Sequence, residues 1–225
     1  MIYELRTYEA TPGNVENIHK RFGDHTVGLF KKHGLGMFGF WEEGVSPAHM
    51  VLGHGGSMTY MLSFEDTADR EKKWASFRAD PDWAKIRAES EADGPLVARV
   101  HNTLMRTTAF SPEPKFTTPV HELRYYEAWP GRMADLERRF IDHANGLLND
   151  HGMEVIGYWN DEVGTSNTLV WMIGFDSVEH REKCWESYLK DDRWHRAREN
   201  SEKNGPIMTG YHAKLLRVTP YSPKH

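Results

Sequence analysis

The sequence predicts an α+β protein in which two tandem ferredoxin-like β-α-β-β-α-β repeats of one chain close on each other as an α/β barrel. Three observations predict it. The phrase "ELRTYEATPG" at residues 4–13 returns as "ELRYYEAWPG" at 122–131, identical at eight of its ten positions. Like residues keep a fixed spacing along both copies. Within each copy the hydrophobic period switches between two and about 3.6 in the same order.

The register is explicit. Glu4 pairs with Glu122, Phe22 with Phe140, His33 with His151 and Trp41 with Trp159, at an offset of 118. Phe64 then pairs with Phe175, Trp74 with Trp185, Trp83 with Trp194 and Ser111 with Ser222, at an offset of 111. The difference, 118 − 111 = 7, places a seven-residue insertion in the first copy between Trp41 and Phe64. The predicted organisation is a first repeat at 1–109, a Pro-rich linker at 110–119 and a second repeat at 120–225.

Each element follows from local chemistry. "IYELRTYEA" alternates and is rich in strand-favouring residues, and "TPG" breaks it with turn chemistry. Val15, Ile18, Phe22, His25, Leu29 and His33 then recur at helical spacing for about five turns, with Gly34 placed as a left-handed C-cap. "GMFGFWEE" and "MTYMLSFED" are short apolar runs that suit strands joined by a loop. Asp66 or Thr67 caps a helix over "ADREKKWASF", Asp80-Pro81 restarts it, Gly94-Pro95 ends it, and "VARVHNTLMRTT" supplies the last strand.

Right-handed crossovers put both helices of a repeat on one face of its sheet. The other face, carrying Phe, Trp, Met and Tyr, cannot remain in water, and the second copy is expected to cover it. The stretch "FSPEPKFTTPV", with Pro112, Pro114 and Pro119, is extended, and its eleven residues at roughly 3 Å each reach about 33 Å between sheets.

Composition narrows the function classes. With 39% hydrophobic and 27% charged residues the chain has the material for packed cores rather than for disorder. A net charge of −5 and a pI near 6.2 argue against nucleic acid, which needs a basic face. No run approaches the roughly 18 apolar residues of a membrane span, and strand-like sequence from Ile2 leaves no room for a signal peptide, so the expectation is a cytoplasmic protein. Cys184 is the only cysteine, which excludes an intrachain disulfide and a thiolate cluster.

"YELRTYEATPG", the aromatic "GFWEE" and "DREKKWASFRADPDW" together resemble the NIPSNAP family within the dimeric α/β-barrel superfamily, and the resemblance covers nearly the whole chain, twice. It implies a barrel enclosing a pocket that relatives use for cofactor-free monooxygenation, isomerisation, haem chemistry or ligand binding. It supplies no single reaction.

Candidate chemistry comes from the repeated strands. Alternation puts Glu4, Arg6 and Tyr8 on one face of the first strand and Glu122, Arg124 and Tyr126 on the matching face of its copy; that face is expected to turn toward the barrel interior, with Leu5 and Leu123 meeting the helices. An inward Arg6 or Arg124 must be paired, either structurally by Glu4 or Glu122 or by an anion or enolate. Tyr8 and Tyr126 are candidate proton donors, and His101 and His212, equivalent on the last strands, candidate bases.

Trp41 and Trp159 are candidate ligand contacts. His49 and His54 join them on the asymmetric segment "GVSPAHMVLGHGGSM" at residues 44–58, as a lid over a pocket or an oligomer contact. His25 and His143 on the helix stripes, and His33 and His151 before Gly, read as architectural. No metal triad spacing is present and no cofactor is expected. The favoured reading is a protein that binds a small apolar or anionic organic molecule in a barrel pocket, with cofactor-independent monooxygenase- or isomerase-like catalysis open. The alternative is a non-catalytic ligand-binding or protein-interaction module, and aromatic loop residues allow a homodimer.

Overall fold

The computed structural model describes residues 1–43 and 56–224. His49 and His54, with most of the predicted insertion loop, lie outside the described residues. The architecture is of the expected class, α+β with two tandem ferredoxin-like repeats of the α/β-barrel type. Two compact units are present, one formed by Met1–Met105 with Val218–Pro223 and the other built on Arg106–Arg217.

The first unit runs β1 (Ile2–Ala10), α1 (Val15–Arg21), a π-helical turn (Phe22–Thr26), α2 (Val27–Lys32), β2 (Gly36–Glu43), β3 (Ser57–Phe64), α3 (Thr67–Arg78), α4 (Pro81–Ser90) and β4 (Val97–Thr107). The second repeats it as β5 (Val120–Ala128), α5 (Met133–Arg139), a π-turn (Phe140–Ala144), α6 (Asn145–Asp150), β6 (Glu154–Val163), β7 (Thr168–Phe175), α7 (Val178–Leu189), α8 (Asp192–Ser201) and β8 (Met208–Val218). In the first unit β1 pairs with both β3 and β4, and β3 with β2, all antiparallel; β5, β7, β8 and β6 repeat the pattern.

The caps are those the sequence chemistry requires. Asp66 accepts from Asp69 N–H at 2.8 Å, and Asp80 from Asp82 N–H at 2.9 Å with Pro81 at the first helical position. Gly34, at φ +70°, follows α2 in the left-handed region. Beside it His33 reaches Ser76 Oγ at 2.8 Å and Asp80 Oδ2 at 2.6 Å, and His151 does the same with Ser187 and Asp191.

The first-helix stripe differs from the expected one. The π-turn adds a residue to the helical repeat, so Thr26 rather than His25 turns inward, its hydroxyl donating to the Arg21 carbonyl at 3.2 Å. His25 and His143 are exposed.

The face assignment of β1 is reversed. Glu4, Arg6 and Tyr8 meet the helices, whereas Tyr3 and Leu5 lie on the second face with Phe38, Trp41 and Met61, all buried. The cause is Glu4: a carboxylate removed from water needs N–H donors, and the helices supply them. In the second unit Leu123, Trp159, Val170 and Met172 are likewise buried on the second face.

The segments after the last strands complete the units, Val218–Pro223 within the first and the residues that follow Arg106 within the second. Thr219 N–H donates to the Phe40 carbonyl at 3.0 Å and Phe40 N–H to Ser222 Oγ at 3.1 Å; Thr108 N–H donates to the Tyr158 carbonyl at 3.0 Å and Tyr158 N–H to Ser111 Oγ at 3.0 Å. Among the described residues no helix is long and apolar enough to cross a membrane.

The fully buried Trp159 ring lies over Gly157, where an added Cβ would sit 2.6 Å from Cη2. Gly157→Ala should therefore destabilise by about 1–3 kcal/mol. Gly210→Ala, with no atom within 4 Å of the new Cβ, should change stability by less than about 0.5 kcal/mol. Urea midpoints of the two variants check the contrast.

Candidate functional site

Glu4 organises the first unit's site. Its carboxylate, fully buried on β1, accepts from Trp74 Nε1 at 2.7 Å, from Arg70 Nε at 2.9 Å and Nη2 at 2.7 Å, and from Arg6 Nη1 at 2.8 Å. Burial by itself would raise the Glu4 carboxyl, but the hydrogen bonds of Arg70 and Trp74 and the charge of Arg6 hold it below the ordinary glutamate range.

Two guanidinium groups thus share one buried carboxylate. Arg70 has a further partner in Glu71, which is solvent-exposed and contributes little. Local positive charge remains at Arg6.

Arg6 sits among aromatic faces, 5.0 Å from the Trp74 ring, 5.7 Å from Tyr8 and 6.0 Å from Tyr60. Its Nε is buried with no acceptor among the described residues, yet 17% of the side chain reaches solvent. The Tyr60 hydroxyl donates to the Tyr8 hydroxyl at 2.9 Å, and burial pushes the Tyr60 phenol well up, so it stays protonated. A cation, a phenol pair and apolar rings therefore share one partly open corner, a combination that can hold an organic anion and pass a proton to it.

The second unit keeps the scaffold and changes the rest. Glu122 accepts from Arg124, Arg181 and Trp185, the last at 3.0 Å. Tyr60 is replaced by Trp171, whose indole N–H is buried with no acceptor among the described residues. Val100, opposite Tyr8, is replaced by Tyr211, opposite Tyr126, and the Tyr211 ring lies 5.0 Å from the Arg124 guanidinium. Arg124 is boxed by four rings and its side chain is only 10% exposed.

Two stretches, residues 3–112 and 121–223, match the NIPSNAP family profile. The chain belongs to the NIPSNAP family. A Dictyostelium discoideum protein named Protein NipSnap homolog is 22% identical over 200 residues, covering 86% of this chain and 78% of its own. Proposed monooxygenases of known structure from Lactobacillus acidophilus NCFM and Fusobacterium nucleatum superpose with TM-scores of 0.60 and 0.61, each over 96% of this chain and 93% and 91% of theirs. At 9% identity each likeness shows a shared fold alone.

Against this NIPSNAP framework the predicted site residues separate. Arg6 and Tyr8 converge in the first unit, Arg124 and Tyr126 in the second. The histidines do not join them. His101 lies opposite Thr7, exposed on the other sheet face and 2.7 Å from Glu9, and His212 stacks on Tyr125 at 4.3 Å, so neither shares a face with the arginine of its unit. Trp41 and Trp159, fully buried, are also on that second face, opposite Thr59 and Val170. Among the described residues no three His, Cys, Asp or Glu side chains converge as a metal site.

The residues that sequence reasoning passed over are Arg70, Trp74 and Tyr60. A signal existed: Glu4, Arg70 and Trp74 recur together as Glu122, Arg181 and Trp185.

Replacing Glu4 by Gln leaves Arg6 and Arg70 facing an amide and should cost about 3–5 kcal/mol at neutral pH. Glu4 has a lower pKa folded than unfolded, so its contribution is present above about 4.3 and is lost as pH falls. The gap between wild type and Glu4→Gln should accordingly narrow in urea melts as pH falls below about 4.

Proposed function

We propose that the first unit binds a small organic anion with an apolar or aromatic body at Arg6, and that the Tyr8–Tyr60 phenol pair exchanges a proton with it without an organic cofactor. The observation that carries the reading is a guanidinium that shares its buried carboxylate with a second arginine, has an Nε with no acceptor among the described residues and reaches solvent beside two phenols. Charge-assisted hydrogen bonds to such a group contribute roughly 1.5–3 kcal/mol each. The fold likeness to proposed monooxygenases is compatible with proton-transfer or oxygenation chemistry of this kind and does not select between them.

The first unit is favoured over the second by what stands across from the tyrosine. Val100 is short and leaves Arg6 reachable, whereas Tyr211 covers Arg124. In the second unit the cation serves packing.

1-Naphthoate, followed by quenching of tryptophan fluorescence, is a suitable probe. Arg6→Gln should weaken its binding by about tenfold to a hundredfold, corresponding to about 1.4–2.8 kcal/mol, while Arg124→Gln should change it by less than about twofold. Equal effects of the two substitutions, or none from Arg6→Gln, would count against the proposal.

A further inference from the structure

A groove of about 550 Å³ runs beside α4 of the first unit, lined by Arg78, Trp83, Ala84, Arg87, Ala88 and Glu91. It shares no residue with the Arg6 site. Arg78, at the end of α3, is exposed and has no hydrogen-bond or ion-pair partner among the described residues. Trp83 is half-buried, its ring held by Phe77 at 4.8 Å and by the Arg21 guanidinium at 5.5 Å.

Charge in this groove is unbalanced. Glu91 is the one carboxylate in the lining, and two arginines draw on it, Arg21 through Nη1 at 2.8 Å and Arg87 through Nε at 3.1 Å. Arg21 is buried, and its Nε has no acceptor among the described residues. With Arg78 added, three arginines meet one glutamate, a local positive excess on a chain whose net charge is −5.

The second unit separates scaffold from groove. Trp194, Arg198 and Glu202 repeat Trp83, Arg87 and Glu91, and Arg139 repeats Arg21, lying 3.0 Å from Glu202 and 5.7 Å from the Trp194 ring. The rest of the lining does not repeat: Arg78, Ala84 and Ala88 become Leu189, His195 and Glu199. The support beneath the tryptophan is thus common to both copies, whereas the unpaired cation and the alanine floor belong to the first.

Shape and charge select the occupant. Ala84 and Ala88 are exposed one turn apart, so the trough lies open along α4, unlike the enclosing pockets that small ligands ordinarily fill. From Trp83 to Glu91 the helix rises about 12 Å, the span of about four extended residues. A long polyanion such as nucleic acid would run past the groove onto a surface of opposite preference, since the chain as a whole is acidic.

We propose that this groove docks an extended acidic peptide segment of a partner protein, with an apolar side chain resting on Trp83 and the alanines and flanking carboxylates meeting Arg78 and Arg87. Recognition is then of the kind by which arginine clusters read acidic motifs, and its exposed charges are screened by salt.

The test is fluorescence anisotropy of a fluorescein-labelled short peptide of glutamates around a central leucine, titrated with the full-length protein. Binding should saturate and weaken as sodium chloride is raised. Arg78→Leu and Ala88→Glu, each taking the residue of the second copy, should each weaken it about fivefold, and together by more than about tenfold. Leu189→Arg in the second unit should change it by less than about twofold. No saturable binding by wild type, undiminished affinity in the double variant, or equal binding of a peptide with glutamines in place of the glutamates overturns the proposal. Glutarate binding as tightly as the peptide would make the groove a small-anion site, and tighter binding of an oligothymidylate would make it a nucleic-acid surface; either result overturns the peptide assignment.

Discussion

A buried carboxylate decides how each repeat is put together. Glu4 and Glu122 are placed on a first strand with essentially no access to water, and such a group is tolerable only if several donors converge on it. The donors come from one helix: Arg70 and Trp74, four residues apart, sit on the same face of α3, and Arg181 and Trp185 do so on α7. The two short sequence phrases that recur in both copies, one around Glu4 and one around Arg70, are therefore two halves of a single contact. That contact selects which face of β1 meets the helices and so carries Arg6 and Tyr8 to the helical side.

Alternation alone could not decide this. Both faces of β1 offer aromatic and apolar residues, Tyr3 and Leu5 on one side and Tyr8 on the other, and a strand read by its period has no preferred side when both are dry. The strand order, the turns and the caps were legible, because Gly34, Asp66, Asp80 and Pro81 impose local geometry whatever lies around them. The choice of face depends on a donor about seventy residues away, and only the joint recurrence of glutamate, arginine and tryptophan in both copies announces it.

The π-turns were hidden for a different reason. An extra residue in a helix leaves no compositional trace, since Phe22–Thr26 and Phe140–Ala144 are ordinary helix-compatible sequence. It nevertheless rotates everything that precedes it relative to everything that follows. Reading one uninterrupted stripe turned His25 inward, when the phase change gives that place to Thr26 and brings Leu29 and Phe30 under the sheet. The two π-turns occupy matching positions in the repeats, so they belong to the architecture.

Internal duplication supplies its own control experiment. What the two halves share, the Glu–Arg–Trp contact, the His33 and His151 anchors and the bulges of the sheets, is the common scaffold of a repeat. Selection for folding alone gives no reason for the halves to diverge in concert, yet the first unit has Tyr60, Val100, His19, Gly23 and Tyr221 where the second has Trp171, Tyr211, Glu137, Ile141 and Phe110. Each change in the first unit adds a hydroxyl or an imidazole, or removes bulk, on the side of the sheet where Arg6 lies. Two counterparts in the second pack or cover: Phe110 lies against Tyr158 and Tyr211 over Arg124. Buried polar groups cost stability unless they are paired, and the first unit places more of them than the second on the Arg6 side of its sheet, which is the asymmetry the proposed ligand site rests on.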